Sequence, residues 1–541
     1  MSTVQVETSA PAVTGAAWIV VGVALLARLI ALPFWTLDSG DSVSRVFLGW
    51  LWGEHPFFIT HGGWGPLHFY MLGAVMSFWP DPVWAPAALQ IVCGALASLF
   101  VYKLALELFG GGRAALLAGL AFAVYPLAII TSLEARAEMP FVMFLALGLW
   151  LLVRAWRPDG RVLDAVLAGF SITLACMIRY ESWLLLPFLA ALLLPHWRRI
   201  GAFLAAALIH PVIWMIGNAL TYGNPLYSFV WTSTFNRDIM GQKSDWSLSI
   251  AAHKVWALAM VTERGLSLPL SLLIGLGVLW CLRRRRSRAR WLIPPLVVFL
   301  VMAAAQVRGS LWLQPAYTLT VGVLLVPFVA ACFDWLKIEQ WSSARFIGAA
   351  AALLAAVAIS TIEPLWAVMP HGGLFFSRAA GTFTEHKNTD QILALINGGH
   401  PIGNDALVTD FFGWQPTAYL TSRTKVHPEN VCTPNGAPVP MDIPALQGFL
   451  LRHPQGTIVT RDGGKLTSLL KMSSADTVSL ADVILKLSPI GTVKWPGTED
   501  APDVGPGTIG VAHYAVVKAP ESPIKAKPSC TAACPISFCS A

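Results

Sequence analysis

The chain is poor in charge for its length. Of its 541 residues, only 12% are Asp, Glu, Lys or Arg, whereas 55% are hydrophobic and the mean hydropathy is +0.61. A soluble globular domain carries about 25% charged residues. The composition therefore excludes an ordinary soluble protein and indicates that most of the chain lies in a membrane.

The start of the chain lacks basic residues, because neither Lys nor Arg occurs within residues 1–15. The apolar run that follows is too long for the core of a secretory signal peptide, and no convincing small-residue cleavage site accompanies it. We therefore expect this run to remain as a membrane helix. The net charge of +7 lies mainly in short loops between apolar runs. That placement indicates orientation in a membrane and argues against a nucleic-acid partner.

Apolar runs of membrane-spanning length recur along the chain. A helix needs about 20 predominantly apolar residues to cross the hydrocarbon core. Runs of this kind predict eleven spans, at 15–37, 84–106, 113–132, 137–154, 162–178, 182–195, 199–221, 265–282, 291–306, 311–333 and 345–366. Residues 64–79 are also apolar, but they contain Pro66, His68 and Gly73. Whether this stretch crosses decides the side of every later loop.

The basic residues favour one answer to this question. If 64–79 does not cross, the loops on one side hold Arg113; Arg154, Arg157 and Arg161; Arg198 and Arg199; Arg283–Arg286 with Arg288 and Arg290; and Lys337 and Arg345. Loops rich in Lys and Arg mostly face the cytoplasm. We therefore predict a multi-pass protein of the cytoplasmic (inner) membrane, with the N-terminus inside and the C-terminal domain outside.

The predicted fold class is an α-helical polytopic membrane protein with a small C-terminal α/β domain. Residues 1–369 form the membrane domain, and its first outer loop, 38–80, contains an interfacial amphipathic helix at 42–52. Residues 370–520 form the outer α/β domain, and residues 521–541 form a tail that contains cysteine. The elements predicted in the outer domain are strands at 405–409, 457–460 and 508–517 and helices at 388–396 and 443–452.

The eight cysteines fall into two groups. Those in or beside predicted spans, which we interpret as packing residues, are Cys93, Cys176, Cys281 and Cys332. Those in the outer region, where oxidation is permitted, are Cys432, Cys530, Cys534 and Cys539. The second group allows three disulfide pairings, and the sequence does not choose among them. A zinc site is the alternative, although the spacing is irregular and no His accompanies the tail.

Two acidic pairs are candidates for chemistry, because an ionisable group at membrane depth costs about 2.5–3.5 kcal/mol to insert and marks a functional site. Asp38 and Asp41 directly follow the first span. The alternative is that Asp41 or Ser42 caps the interfacial helix. Glu134 and Glu138 belong to the next outer loop. A helical conformation would place them on one face, and the alternative is that Glu138 marks the start of a helix.

Basic groups on the same side are candidate partners for an anionic phosphate, namely Arg28, His61, His68 and Arg308. Arg28 lies inside the first span, and the alternative is that it extends to the lipid headgroups. Arg179 and Glu181 flank Tyr180 in a tight turn between two spans. Uncharged residues would form such a turn at a membrane boundary more easily. We therefore favour a role in the site over a simple ion pair.

These stretches resemble the GT-C glycosyltransferases, in particular bacterial relatives of the protein mannosyltransferase and aminoarabinose transferase family (glycosyltransferase family 39-like). The resemblance covers roughly residues 15–335 and lies in the pattern and order of the motifs. The matching stretches are Asp41 in the first outer loop, Trp64-Gly65-Pro66-Leu67-His68, Ala137-Glu138-Met139-Pro140, Arg179-Tyr180-Glu181 and Leu311–Pro315 after Arg308. The second acidic stretch lacks Asp-x-Asp and Asp-x-Glu, so no cofactor is assigned and a divalent metal is the alternative.

The resemblance implies a hexosyl or pentosyl transferase, of the inverting kind, that works at the outer face of the membrane. Its donor would be a polyprenyl-phosphate-linked sugar, and its acceptor a lipid, a glycan or a protein. In this interpretation Asp41 is the general base, and Glu138 positions the acceptor or serves as a second acid. Arg308 or His68 would bind the lipid phosphate, and Arg179 with Glu181 would support the site.

A transporter or flippase for a lipid-linked or small polar substrate is the alternative function. It would use the same charged residues along a permeation path. The sequence has no inverted repeat, no pair of interrupted helices and no acid in the middle of a span, and these absences count against it. A non-catalytic anchor for the outer domain would need far fewer than eleven spans.

Overall fold

The computed structural model describes most of the membrane domain and parts of the C-terminal region. The described residues are 10–32, 42, 45–46, 48–49, 52–53, 56, 63–81, 84–239, 242, 244, 246–360, 395, 406–409, 427–430, 447, 450–451, 453–462, 470–474, 476–480, 483–495 and 507–518. They divide into two compact units. The first takes the described residues within 1–35, 61–68 and 87–375, and the second takes those within 36–60, 69–86 and 376–541. The domain bounds expected from the sequence stay a prediction.

Helices dominate the described residues up to 360. Their bounds are α1 Ala10–Ala31, α2 Leu67–Phe78, α3 Trp84–Phe109, α4 Gly112–Ala123, α5 Pro126–Thr131, α6 Glu138–Trp156, α7 Val162–Cys176, α8 Glu181–Leu192, α9 Trp197–Ala207, α10 Ile209–Tyr222, α11 Tyr227–Thr234, α12 Leu248–Leu266, α13 Leu268–Arg284, α14 Arg286–Ala289, α15 Ile293–Val307, α16 Leu319–Leu325, α17 Val329–Trp335 and α18 Ser343–Ser360. The described positions between 42 and 53 are also helical, as expected for the interfacial helix.

Over its described residues, each predicted span coincides with a helix or with a bent or interrupted pair of helices. By length and composition alone, five segments are able to cross a membrane, or seven if each bent pair is one span. The bent pairs are α9 with α10, at 43°, and α12 with α13, at 105°. Shorter apolar segments, of 10–17 residues, are the part of α1 at Gly15–Ala31, the whole of α2, α4 and α7, and Ser182–Leu192 in α8. The protein is thus a multi-pass helical membrane protein, and the number of eleven spans stays a prediction.

The loops rich in arginine lie together at one end of the helical bundle. The contacts that join them are Arg157 Nη2 with Glu107 Oε2 (2.8 Å), Arg199 Nη1 with the carbonyl oxygen of Arg157 (2.7 Å), Arg285 Nη2 with Asp334 Oδ2 (3.2 Å), Glu339 Oε1 with the N–H of Arg113 (2.8 Å) and the Arg288 guanidinium over the Phe109 ring (5.8 Å). Between one of these loops and the next, the helices run to the other end of the bundle and return. We call this the basic end, and the alternation predicted from the charge pattern agrees with it.

Helix α2 is too short to cross the bilayer alone. Its 12 residues make a helix of about 18 Å, against a hydrocarbon core of about 30 Å. At its start, the Leu67 N–H donates to the carbonyl oxygen of Met177 at 3.2 Å, and His68 Nε2 lies 2.8 Å from Gln90 Nε2 in α3. These two contacts fix the place where α2 begins, and the expectation that 64–79 does not cross stays a prediction.

The second unit contains a seven-stranded mixed sheet in the order β2-β1-β3-β7-β6-β5-β4. The strands are β1 Ala406–Thr409, β2 His427–Asn430, β3 Gln455–Arg461, β4 Lys471–Ser474, β5 Thr477–Leu480, β6 Val483–Trp495 and β7 Gly507–Lys518. β1 is parallel to β2 and β3, and the other pairs are antiparallel. The predicted strands at 405–409, 457–460 and 508–517 are confirmed as β1, β3 and β7.

The core of this sheet is formed by apolar residues and one tyrosine. The core cluster consists of Leu450, Ile458, Val478, Leu480, Val483, Leu485 and Tyr514. The Tyr514 hydroxyl donates to the carbonyl oxygen of His453 at 3.0 Å, and burial raises the pKa of this phenol. Residues 395, 447, 450 and 451 are helical, in line with the two predicted helices.

The cysteines of the membrane domain are buried and free, namely Cys93, Cys176, Cys281 and Cys332. Their interpretation as packing residues is therefore confirmed. The outer group, Cys432, Cys530, Cys534 and Cys539, lies outside the described residues.

Candidate functional site

The acidic stretch between α5 and α6 forms a turn at the end of the bundle opposite the basic end. The Arg136 N–H donates to the carbonyl oxygen of Glu134 at 2.7 Å, and α6 begins at Glu138. The helical conformation that would place the two glutamates on one face is therefore not adopted here. The alternative, in which Glu138 marks a helix start, is confirmed. A carboxylate in the first turn of a helix is stabilised by the helix dipole.

Four charged side chains form one network here. Arg136 lies between the two glutamates, with Nη1 3.4 Å from Glu134 Oε2 and Nε 3.3 Å from Glu138 Oε2. Arg179 Nη1 donates to Glu138 Oε1 at 2.7 Å. The four side chains are only 6–13% exposed. Because the charges alternate, the like-charge cost of placing two glutamates together is removed. We call these four residues the acid–arginine network.

Residues of the 311–318 stretch complete the network. Arg136 Nη2 donates to Gln314 Oε1. The Arg179 guanidinium lies 4.6 Å from the centre of the Tyr317 ring, a distance at which a cation is attracted to an aromatic face. The two arginines are thus held by carboxylates on one side and by the stretch after α15 on the other.

The segment 63–68 packs against the same network. Gln90 Nε2 donates to the carbonyl oxygen of Arg136 at 2.9 Å and lies 2.8 Å from His68 Nε2. A Cβ atom at Gly65 would lie 2.2 Å from the carbonyl oxygen of Met177, so only glycine fits there. Two stretches singled out in the sequence, Trp64–His68 and Arg179–Glu181, are therefore neighbours in the fold.

The structure places the predicted site residues in different environments. Glu134, Glu138 and Arg179 belong to the network, and fully buried His68 is joined to it through Gln90. Arg308 ends α15 and is exposed, and within the described part of the chain it has no ion-pair partner. Asp38, Asp41 and His61 lie outside the described residues, and so does the side chain of Glu181. Their roles stay predictions.

Arg28 is fully buried inside the bundle. Its Nε donates to Ser132 Oγ at 2.9 Å, and its Nη1 donates to the carbonyl oxygens of Ala24 at 2.9 Å and Ala123 at 3.1 Å. Its Nη2 donates to Ala128 at 3.4 Å. The alternative that Arg28 extends to the lipid headgroups is therefore wrong, because every charged atom of the side chain is enclosed by protein.

The position of Arg28 is explained by the interruption between α4 and α5. The helix stops at Ala123 and restarts at Pro126, so the carbonyl oxygen of Ala123 loses its usual partner in the next turn. A carbonyl at membrane depth needs a replacement donor. Arg28 supplies it and also holds Ser132, which begins the turn leading to the network. Its arrangement is that of a positioning residue.

Sequence reasoning missed four members of the site, namely Gln90, Arg136, Gln314 and Tyr317. Arg136 had a usable signal, because a single cation stands between two glutamates two residues away on either side. Gln90 and Gln314 had a weaker one, because each is an uncharged polar residue in or beside an apolar run. Tyr317 had none, since tyrosine is ordinary at a membrane boundary.

The network orients groups and carries charge, but its acids do not suit proton transfer. Both carboxylate oxygens of Glu138 face arginines, so the carboxylate is held in one orientation. Glu134 is likewise committed to Arg136. Over the described ranges, no group of three His, Cys, Asp or Glu residues is placed to hold a metal ion, and the two glutamates face arginines instead of an open coordination position.

The comparisons with known proteins agree with this architecture. Residues 55–216 match the family described as dolichyl-phosphate-mannose-protein mannosyltransferase. The fold is similar to that of ArnT from Cupriavidus metallidurans in the apo state, with a TM-score of 0.60 and 13% identity over 92% of this chain and 98% of that one. For ArnT bound to undecaprenyl phosphate, the TM-score is 0.61 and the identity 14% over the same shares.

A more distant match is the apo Archaeoglobus fulgidus oligosaccharyltransferase, with a TM-score of 0.47 and 13% identity over 83% of this chain and 69% of that one. No curated protein matches the chain. The predicted fold class is confirmed by the shared ArnT fold, and the family match over residues 55–216 agrees with the resemblance to the GT-C glycosyltransferases.

Proposed function

We propose that this GT-C-type membrane protein transfers a sugar from a polyprenyl-phosphate-linked donor to an acceptor at the outer face of the cytoplasmic membrane. The observation that carries the proposal is the acid–arginine network. It lies opposite the basic end, and it joins Glu138, Arg179 and the segment 63–68 in one place. Since arginine-rich loops mostly face the cytoplasm, we assign the end that holds the network to the outer face.

The reaction is a displacement at the anomeric carbon of the donor sugar. The acceptor hydroxyl or amine attacks that carbon, the carbon–oxygen bond to the phosphate breaks, and polyprenyl phosphate leaves with the electron pair. The proton of the acceptor passes to a base, for which we propose Asp41. A single displacement inverts the configuration at the anomeric carbon.

The described residues provide positioning in this scheme. The Glu138 carboxylate is held in a fixed orientation between Arg136 and Arg179, which suits it to orient an acceptor hydroxyl or amine by accepting its hydrogen bond. We assign His68 and Arg28 to positioning, because both side chains are fully buried. No step is assigned to a divalent metal, since the two described glutamates already face arginines.

The leaving phosphate needs a cation at the membrane boundary. Arg308 is exposed at the end of α15 and stands six residues before Gln314, which accepts from Arg136. Preorganised cations at the point where charge develops lower the barrier of such transfers. We therefore propose Arg308 as the partner of the lipid phosphate.

The proposal is tested in cells that lack the gene and are complemented with variants. Mass spectra of the glycolipids and cell envelope are compared for the wild type, Asp41→Asn and Glu138→Gln. We expect Asp41→Asn to abolish the gene-dependent glycoform while the purified variant still binds undecaprenyl phosphate. Glu107→Gln is the matched control, because Glu107 also pairs with an arginine, but at the basic end.

Full sugar transfer by Asp41→Asn would remove the base role. Movement of a labelled lipid-linked sugar across liposomes, with no change in its covalent structure, would instead support the transporter alternative.

A further inference from the structure

The basic end carries an excess of positive charge that the proposed reaction does not use. Six arginines stand within residues 283–290: Arg283, Arg284, Arg285, Arg286, Arg288 and Arg290. We call these residues the arginine segment. Among the described residues, only Arg285 of the six has a carboxylate at ion-pair distance, with its Nη2 3.2 Å from Asp334 Oδ2. Unpaired cations at a membrane boundary attract anions.

Two arginines of the segment are fixed in place by aromatic rings. The Arg290 guanidinium lies 4.1 Å from the centre of the Trp156 ring, and Arg288 lies 5.8 Å from that of Phe109. Both rings end helices that the segment contacts, α6 and α3. Stacking of this kind holds a guanidinium without consuming its N–H donors. The two side chains are therefore preorganised.

Both fixed arginines have buried donors without a partner in the described part of the protein, namely Arg288 Nη1 and Arg290 Nε. A third such donor is the indole Nε1 of neighbouring Trp291, whose side chain is 4% exposed. Buried N–H groups are costly to leave unsatisfied. Three of them within four residues indicate an acceptor that is not part of the chain.

The helices that precede and follow the segment in the chain present exposed apolar residues. Exposed residues at helical spacing run along α13 (Leu272, Leu276 and Leu279) and along α15 (Ile293, Leu296 and Leu300). Each is at least 40% exposed. Such rows suit acyl chains, and they lead away from the arginine segment into the span.

We propose that the arginine segment binds the phosphate headgroup of one anionic phospholipid, whose acyl chains lie along the exposed rows of α13 or α15. Guanidinium groups match the oxygens of a phosphate in geometry and charge. The site is separate from the acid–arginine network and does not depend on the proposed sugar transfer. It would tie the ends of α3, α6 and α15 together through one bound lipid.

The test is a lipid titration of the purified full-length protein, followed by native mass spectrometry. The probes are phosphatidylglycerol, phosphatidylcholine and inorganic phosphate. The variant is the pair Arg288→Gln and Arg290→Gln, and the matched control is Arg283→Gln with Arg284→Gln. The control removes the same charge from two exposed arginines of the same segment. Thermal unfolding of both variants shows whether they are folded.

We expect wild type to retain phosphatidylglycerol over phosphatidylcholine, and the Arg288/Arg290 variant to lose about tenfold in affinity, as for other charge-assisted phosphate contacts. The control should lose less than about threefold. Equal losses in the two variants would show diffuse attraction and overturn the site. Binding of inorganic phosphate as tight as that of the lipid would overturn the role of the apolar rows.

If the double variant does not fold, Trp291→Phe provides a second test. It removes one unsatisfied donor without changing the charge, so diffuse attraction is unaffected. A several-fold loss of phosphatidylglycerol with unchanged thermal stability supports the site, and an unchanged affinity contradicts it.

Discussion

At one end of the bundle Arg136 and Arg179 are paired with carboxylates, whereas at the basic end five of the six arginines in residues 283–290 have no carboxylate at ion-pair distance within the described chain. The side chains at the first end are at most 13% exposed, and those of Arg283 and Arg284 are exposed. Arginine therefore has different roles at the two ends of the bundle.

The difference follows from the energetics of burial. A buried charge needs partners in fixed geometry, since an unpaired one is very costly. The acid–arginine network accordingly fixes the orientation of its charged side chains, as a site for group transfer requires. Exposed arginines are solvated and act through their net charge, which orients the protein and attracts anions. The functional end of the bundle is therefore distinguished by arginines that pair with carboxylates, and not by the number of its arginines.

The largest expected effect is an all-or-none difference in accessibility between the two ends. In a background with Cys432, Cys530, Cys534 and Cys539 changed to Ser, a membrane-impermeant maleimide should label Leu226→Cys only from outside intact cells. Ser287→Cys should react only after the membrane is opened. Leu226 is 50% exposed and Ser287 is exposed, so burial does not prevent either reaction. Labelling of both from the same side would break the comparison.

The next effect concerns the network itself. Arg179→Met removes the partner of Glu138 Oε1 and the cation that packs on Tyr317. We expect a loss of about 100-fold in sugar transfer and about 3 kcal/mol of stability, because a buried carboxylate loses one of its two arginine partners. The measurements are the gene-dependent glycoform and thermal unfolding in detergent. Transfer close to that of the wild type would show that the network is structural only.

A smaller effect is expected for Arg28→Met. The substitution preserves much of the apolar volume but leaves Ser132 and the carbonyl oxygen of Ala123 without this donor. We expect a loss of about 2 kcal/mol in the free energy of unfolding. Thermal unfolding compares it with Arg28→Lys, which keeps one charged donor and should lose less. Equal stability of Arg28→Met and wild type would contradict the role in holding the interruption.

The smallest effect is expected at the basic end. Arg157→Met makes the same chemical change as Arg179→Met and also breaks a bond to a glutamate, Glu107, at 2.8 Å. The Arg157 side chain is 42% exposed, so the pair is worth less than about 1 kcal/mol. Transfer should be unchanged. A loss as large as that of Arg179→Met would erase the distinction between the ends.

Much of the membrane domain follows from the sequence, because span length and loop charge are set by the bilayer. The same pattern placed Glu134, Glu138 and Arg179 at one end. It did not show that Arg136 joins the two glutamates, since that depends on a turn whose dihedral angles no periodicity encodes. The burial of Arg28 was also missed, because its partners lie in an interrupted helix far along the chain.

The sheet shows the same limit. Strands β1, β3 and β7 are rich in apolar and β-branched residues, and this composition is typical of strands. Strand β6 contains Pro489 and Gly491, where its pairing with β7 shifts register. Proline and glycine normally argue against a strand interior, so sequence patterns gave no sign of this 13-residue element. Strand β5 has only 4 residues, too few for a clear alternation.

The enclosed position of Arg28 has a consequence for the biosynthesis of the protein. The helix that carries it is made before its partners, since Ala123 and Ser132 are added to the chain 95 and 104 residues later. At typical elongation rates, this delay lasts roughly 5–20 s. During that time the arginine costs about 2.5–3.5 kcal/mol in the bilayer. Nascent chains stopped before Ala123 should therefore hold the first helix in the membrane less firmly than chains stopped after Ser132.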